Sequence, residues 1–313
     1  MKNVVVLGAA GFLGSHLCDR LIDGGDSVIG VDNLSTSTGQ NLVHLRDHPR
    51  FTFAKSDICS GVEVSEPVDF IFNLASPASP PRYQELPIET LRVGSIGTEQ
   101  AINLALVKGA RLVMASTSEV YGDPAVSPQH ESYWGHVNPN GLRSCYDEAK
   151  RYAEALCMAY HRVHGLNVGI ARIFNTYGPR LDPNDGRVVS NFIVQALRGE
   201  DLTVYGDGSQ TRSFCYVSDQ VTGLLALASS DVVDPVNIGN PVEYTMNQLA
   251  ERIVTLVGSG SEVRHDPLPA DDPMQRCPDI SRARSLFGWE PIVPLDEGLA
   301  ATIDWFRDTV IDR

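Results

Sequence analysis

Tyr146 and Lys150 stand four residues apart in the stretch Arg143-Ser-Cys-Tyr-Asp-Glu-Ala-Lys-Arg151. On an α-helix that spacing puts both side chains on one face, one turn apart. An ammonium held near a phenol favours the phenolate and lowers a pKa that otherwise sits near ~10. Such a pair is a general base suited to an alcohol that is being oxidised. The same spacing also arises by chance, as a surface lysine over a half-buried ring, so its weight depends on its company. Thr117, Ser118 and Glu119 follow the apolar run Arg111-Leu-Val-Met-Ala115. They would sit at the carboxyl end of a strand, where open α/β sheets bind ligands. A strand cap explains one of the three, less easily all of them.

Those side chains need elements to position them. Ala149, Ala153, Leu156 and Tyr160 recur at i, i+4, i+7 and i+11 and predict a buried stripe on the helix that carries Tyr146. Upstream, Val4-Val-Val-Leu7 is a continuous apolar run, as expected of a parallel strand covered on both faces. Gly8-Ala-Ala-Gly11-Phe-Leu-Gly14 follows it and opens a helical pattern that continues through Ile22. Gly8 allows a tight turn, Gly11 lets the backbone approach a pyrophosphate, and Gly14 lets helix and strand pack closely. The helix N-terminus would then offer free N–H groups and a positive dipole end to the phosphates.

A second strand, Ser27-Val-Ile-Gly-Val31, ends in Asp32, 18 residues past Gly14. A carboxylate there accepts hydrogen bonds from ribose hydroxyls and repels a 2′-phosphate. No arginine lies in Asn33-Leu-Ser-Thr-Ser37, which favours NAD over NADP. Asp57, after a third strand at Phe51 to Ala54, is either an adenine acceptor or a plain turn residue. Val68 to Ala75 reads as a fourth strand, Ile88 to Val107 as a helix, and Asn167 to Phe174 as a sixth strand. This alternation predicts an α/β fold, a Rossmann-like doubly wound parallel sheet. From about Asn175 the rhythm breaks and Pro and Gly become frequent. The expected division is an NAD-binding domain over residues 1–174, a segment near 236–239 returning to its sheet, and a smaller C-terminal substrate-binding lobe over 175–313. Met246 to Val257 and Leu299 to Phe306 read as helices of that lobe.

Composition narrows the function classes. The chain has 313 residues and a net charge of −14, which argues against nucleic acid or an anionic membrane surface as its partner. No apolar run approaches the ~20 residues that span a bilayer. The six cysteines are scattered with no Cys-x-x-Cys pair, which suits a reducing cytoplasmic compartment. His44 and His48, and His161 and His164, have helical spacing but no third ligand, so no metal site is expected.

The glycine turn, Asp32, Thr117 and Tyr146-x-x-x-Lys150, in this order, resemble the extended short-chain dehydrogenase/reductase superfamily. Within it the chain is most similar to the UDP-glucuronate decarboxylases. The carrying stretches include Leu74-Ala-Ser-Pro-Ala-Ser-Pro-Pro81, Tyr133-Trp-Gly-His-Val-Asn-Pro139, Asp185-Gly-Arg-Val-Val-Ser-Asn191, Gln210-Thr-Arg-Ser-Phe214, and the run from Ala270 through Arg276 to Ile280. The resemblance implies that NAD is held by Gly8, Gly11, Phe12, Leu13, Gly14, Asp32, Asn33, Asp57, Ile58, Leu74, Ala75, Ser76, Tyr146 and Lys150. It implies a catalytic set of Thr117, Glu119, Tyr146, Lys150 and Arg276. It gives the UDP-sugar to Ser118, Asn175, Val189, Tyr205, Gln210, Arg212 and Arg276. An acidic protein can hold such an anion if Arg212 and Arg276 supply the local field. A homodimer is implied as well, built on the helices that begin near Ile88 and Ser144.

The implied chemistry is oxidation at C4 of UDP-glucuronate, loss of CO₂ from the resulting β-keto acid, and reduction to UDP-xylose. A 4-epimerase, a decarboxylase that releases the UDP-4-keto-pentose, and a non-catalytic NAD-binding scaffold are the other readings. Ser118 stands where a 4,6-dehydratase usually carries an acid, which disfavours dehydration. Two positions depart from the family pattern: Gly94, where many relatives have Asn, and Cys277, where Lys is common.

Overall fold

The computed structural model describes residues 1–267 and 275–310. In chain order the first part runs β1 (Asn3–Leu7), α1 (Phe12–Asp23), β2 (Ser27–Asp32), β3 (Phe51–Lys55), β4 (Phe70–Asn73), α2 (Pro80–Glu85), α3 (Pro87–Arg92), α4 (Thr98–Lys108), β5 (Arg111–Thr117), α5 (Ser144–His164) and β6 (Val168–Ile173). Then come β7 (Thr176–Tyr177), α6 (Val188–Arg198), β8 (Leu202–Tyr205), β9 (Thr211–Ser213), β10 (Cys215–Tyr216), α7 (Val217–Ala228) and β11 (Val236–Ile238). The last are β12 (Glu243–Thr245), α8 (Met246–Val257), β13 (Val263–Asp266), β14 (Gln275–Arg276), α9 (Ser281–Phe287) and α10 (Leu295–Val310).

Seven parallel strands form the main sheet in the order β11-β6-β5-β4-β1-β2-β3. The order reverses between β1 and β4, and the crevice at such a point is where doubly wound sheets bind ligands. Period-2 alternation in β1 explains the layers. Val4 and Val6 pack with α1 and α7 side chains such as Leu17, Leu21 and Leu224. Val5 and Leu7 pack on the other face with Ile102, Ala153 and Cys157 of α4 and α5. A strand covered on both faces must be apolar throughout, which is why Val4 to Leu7 shows no polar alternation.

A second core joins α6, α8 and α10 over β8, with Phe192, Leu249, Ile253 and Phe306 buried together. Thr245 and Gln248 cap α8 reciprocally, each side chain accepting from the other's backbone N–H. β9 of this region pairs with β12 and with β14, which brings Arg276 beside Arg212. β11 pairs in parallel with β6 at the edge of the main sheet.

Two local expectations change. The stripe on α5 runs through Tyr146, Ala149, Lys150, Ala153, Glu154 and Cys157. Leu156 and Tyr160 are only partly buried, although both pack against the same core. The helix expected from Ile88 to Val107 is also not continuous. Val93–Gly97 forms one wider π-type turn between α3 and α4. A Cβ on Gly94 would lie 2.5 Å from the Ala149 Cβ, and one on Gly97 would lie 2.7 Å from Ile58 Cδ1. The glycines therefore let this turn press against α5 and against the segment after β3. The six cysteines are all free thiols.

Candidate active site

The carboxyl ends of β1, β4, β5 and β6 open into a cleft of about 820 Å³ that reaches into the second core. Gly8 sits in the left-handed region at φ +82°, and a Cβ there would come within 2.8 Å of Ala75 N. A Cβ on Gly14 would lie 2.1 Å from Gly8 O, so α1 can start against β1 only with glycine at this place. A Cβ on Gly11 would meet only Gly8 O, at 3.3 Å, and Gly11 itself lines the cleft. Gly11 begins α1 with no side-chain cap. The first-turn N–H groups of that helix are therefore available to an anion.

Asp32 closes the turn. Its Oδ2 accepts from Ala10 N at 3.0 Å and its Oδ1 accepts from Leu34 N at 2.8 Å. Burial raises its pKa, and the Leu34 and Ala10 N–H groups pull it back. Each oxygen keeps a lone pair for a ribose hydroxyl. Asp57 caps the short turn after β3, where its Oδ1 accepts from Cys59 N at 2.8 Å and its Oδ2 from Asn33 Nδ2 at 3.3 Å. Those bonds hold its carboxyl below the usual carboxylate range. Gly8, Gly11, Phe12, Leu13, Gly14, Leu74 and Ser76 line the cleft, whereas Asp32, Asn33, Asp57, Ile58 and Ala75 are not part of its wall. Ile58 instead buries its side chain under Gly97. The glycine cradle, the uncapped helix start and Asp32 together fit a dinucleotide.

At the centre of the cleft Tyr146 stacks on Tyr83, with ring centroids 5.1 Å apart and planes 9° apart. Lys150 Nζ lies 5.7 Å from the Tyr146 ring centroid. It donates to Ala115 O at 2.8 Å, which ties α5 to the end of β5. Burial lowers the Lys150 pKa to about 8. Tyr146 departs from the expectation of an acidic phenol. Burial pushes its hydroxyl up to about 12, against the pull of the Arg187 charge and a hydrogen bond with Thr117. One of the three Lys150 N–H donors goes to a backbone carbonyl, and burial dominates at the phenol, so the chain by itself keeps it protonated. Further positive charge beside the ring is what would bring it down.

Glu119 forms the other half of the centre. Arg143 Nη2 donates to its Oε2 and Arg276 Nη1 to its Oε1. Burial pushes the Glu119 carboxyl up, but the Arg276 and Arg143 charges more than offset it and hold it at about 2. Arg276 also donates to Gly122 O at 3.0 Å, while its buried Nε has no partner. Ser118 and Thr117 line the cleft beside this cluster. Cys277 turns away from it, its Sγ 3.4 Å from Pro241 O.

Asn175, Val189, Tyr205, Gln210 and Arg212 line the far end of the cleft. Gln210 Nε2 donates to Tyr205 O at 2.7 Å, and Arg212 Nη1 donates to Thr211 O at 2.8 Å. The part of the quoted stretch from Ala270 to Met274 lies outside the described residues. Sequence reasoning missed Tyr83, Arg143, Asp147 and Arg187. Arg143 lies three residues before Tyr146, on the same side of the helix start, and was the most accessible of them. Asp147 is buried beside Glu119, and burial first, then the Glu119 charge, raise its carboxyl to about 7. Among the described residues no group of His, Cys, Asp or Glu is placed to hold a metal ion.

A family model described as the NAD dependent epimerase/dehydratase family matches residues 4–239. The chain belongs to this family. Within the family, UDP-glucuronic acid decarboxylase 1 of Xenopus tropicalis is 55% identical over 306 residues, covering 98% of this chain and 72% of that relative. UDP-glucuronic acid decarboxylase 6 of Arabidopsis thaliana is 53% identical over 306 residues, covering 97% of this chain and 89% of that relative. A crystal structure of UDP-glucuronic acid 4-epimerase from Bacillus cereus, in complex with UDP-glucuronic acid and NAD, superposes with a TM-score of 0.86. That pair is 28% identical and the match covers 98% of this chain and 99% of the epimerase. The decarboxylases are thus nearer in sequence than this epimerase of the same fold.

Proposed function

We propose that this chain decarboxylates UDP-glucuronate to UDP-xylose through a 4-keto intermediate, with NAD regenerated in each turnover. The likeness to the decarboxylases over nearly the whole chain carries the reading. Two arginines converging on Glu119 beside Tyr146 support it, since they bring positive charge to where a uronic acid would place its carboxylate.

Gly8, Gly11, Gly14 and Asp32 hold the dinucleotide, and Lys150 its nicotinamide ribose. The bound nicotinamide supplies the acceptor for the C4 hydride and later its donor. Tyr146, as the phenolate that added positive charge beside its ring favours, removes the O4 proton, and Thr117 donates to the developing oxygen charge. The new C4 carbonyl makes the substrate a β-keto acid. The bond from C5 to the carboxyl carbon then breaks, CO₂ leaves, and the electron pair passes into an enolate on O4. Thr117 and the Tyr146 hydroxyl stabilise that enolate. Glu119 stays ionised and orients Arg276, which stays charged, so the proton for C5 comes from a water held at this pair and is made up from solvent. Tyr146 finally returns a proton to O4. Arg212, Gln210, Tyr205, Val189 and Asn175 hold the UDP part.

The deciding experiment is incubation with UDP-glucuronate and NAD, reading CO₂ and the mass of the sugar nucleotide. The expected product is a UDP-pentose lacking the carboxyl group. A product with unchanged mass would replace this reading with 4-epimerisation. No turnover and no nicotinamide absorbance change would leave only a cofactor-binding protein. The chain acts as a homodimer through α3 and α5, whose outer faces expose Ile88, Leu91 and Tyr152. A reducing cytoplasmic setting suits its six free thiols.

A further inference from the structure

Ser116, Arg172 and Asn237 stand side by side on β5, β6 and β11, because Ser116 pairs with Arg172 and Arg172 with Asn237 in the sheet register. A sheet covered on both faces usually carries apolar residues, so three polar neighbours in a row near the carboxyl ends of these strands need partners. Glu154 supplies the first. It lies one turn past Lys150 and two turns past Tyr146 on the same face of α5. Its Oε1 accepts from Ser116 Oγ at 2.5 Å and Arg172 Nε at 2.9 Å, and its Oε2 from Arg172 Nη2 at 2.7 Å. The row then continues across the sheet. Arg172 Nη1 donates to the Tyr121 hydroxyl at 3.0 Å, and that hydroxyl donates to Asn237 Oδ1 at 2.7 Å. Asn237 Nδ2 donates to Gln129 O at 2.9 Å and to Asp279 O at 3.0 Å. Gln129 in turn accepts from Cys277 N through its Oε1 at 2.9 Å and donates its own N–H to Cys277 O at 2.8 Å. Cys277 is the neighbour of Arg276.

These bonds link the helix that carries Tyr146 and Lys150 to the segment that carries Arg276, with no gap between them. A buried ion pair adds little net stability over apolar residues of the same volume. Its directional bonds do fix geometry, and a displacement of about 1 Å at a reacting centre can cost about 100-fold. We propose that Glu154, Arg172, Tyr121 and Asn237 are positioning residues that hold Arg276 in register with Tyr146, and so set the rate of CO₂ loss separately from the rate of C4 oxidation. The proposal rests on the decarboxylase reading above.

Asn237→Ala cuts the row at its middle, and Tyr121→Phe removes one hydroxyl from it with little change in shape. The measurement is a single turnover with UDP-glucuronate and NAD, following reduced-nicotinamide absorbance and CO₂ together, with a thermal melt to confirm folding. For Asn237→Ala the expected result is oxidation within about twofold of the wild-type rate and CO₂ release slowed about tenfold or more. Tyr121→Phe should shift the two steps apart in the same direction by less, and it carries the test if Asn237→Ala does not fold. Equal slowing of both steps in a folded variant, or no slowing of CO₂ release in Asn237→Ala, overturns the proposal. If Tyr121→Phe is the one folded variant, unchanged CO₂ release there overturns it. A wild-type enzyme that releases no CO₂ would instead refute the function on which the proposal rests.

Discussion

Tyr83 and Tyr146, on different helices, lie with parallel rings whose centroids are 5.1 Å apart. The stacked Tyr146 ring carries its hydroxyl toward Thr117. Tyr83 is buried and its hydroxyl has no hydrogen-bond partner. Tyr83→Phe should therefore keep the orientation and leave folding stability within about 1 kcal/mol, since no protein hydrogen bond is lost. Tyr83→Ala opens a cavity and should cost about 3–5 kcal/mol. In that variant the freed Tyr146 ring should slow C4 oxidation at least about tenfold. Denaturant unfolding and single-turnover nicotinamide absorbance read the two effects. Unchanged oxidation in Tyr83→Ala would show that the stack does not orient Tyr146.

Asp147 gives the pH dependence of stability. Its carboxyl rises from an ordinary 3.8 to about 7 on folding, first through burial and then through the Glu119 charge. A raised acid contributes stability that is complete below about 4 and is lost as pH rises toward 7. Glu119 works in the opposite sense. Its carboxyl is depressed to about 2, so its contribution is present above its ordinary 4.5 and lost only as pH falls from there. Asp147→Asn removes the first effect alone. The melting temperature of this variant relative to wild type should climb between pH 4 and pH 7 and then level off. A gain of about 1 kcal/mol appears as roughly 1–2 °C in a chain of this size. A difference that stays flat across that interval would mean Asp147 is ionised in the folded protein at all these pH values.

Asp32 shapes the turn, and the proposed role in cofactor choice can be tested at the same carboxylate. Both of its oxygens accept backbone N–H groups, one from the glycine turn and one after β2. Asp32→Ala should lose those two bonds at about 0.5–1.5 kcal/mol each. It should also weaken NAD binding at least about tenfold while relieving the repulsion of a 2′-phosphate, so the preference for NAD over NADP narrows. Titration calorimetry with each dinucleotide checks this. An undiminished preference would place discrimination elsewhere in the cleft.

The parts of this molecule legible in its sequence are those where a local rule and the tertiary structure agree. The apolar run at Val4 to Leu7 and its glycines could be read because a strand covered on both faces and a helix start against it leave few residue choices. Met246 to Val257 was read to the residue because Thr245 and Gln248 cap it and a left-handed Gly258 ends it. The protonation state of Tyr146 was not legible. Spacing shows that Lys150 is near, but not that its ammonium bonds to Ala115 O or that burial dominates the phenol. The resemblance put Glu119 and Arg276 in one catalytic set, but their ion pair was not legible. It joins residues 157 apart, and no local pattern encodes it.

Gly94 stands where many relatives of the resembled family have Asn, and packing gives the glycine a structural meaning. A Cβ at this position would lie 2.5 Å from the Ala149 Cβ and 3.0 Å from Ala149 O. Asn at position 94 therefore forces a shift while Ala149 stands opposite it on α5, three residues past Tyr146. Gly94→Asn should destabilise the protein by about 1–3 kcal/mol through overpacking. Because α5 carries both Tyr146 and Lys150, the shift it forces should also lower the rate of C4 oxidation. Ala149→Gly removes the opposing methyl, at a cost of about 1 kcal/mol for a helix-interior glycine. In the double variant the two losses should not add, and a coupling of at least about 0.5 kcal/mol should appear in a double-mutant cycle of unfolding free energies. Strict additivity would mean that the helix yields at this contact, and that glycine at position 94 is not required by the fit against α5.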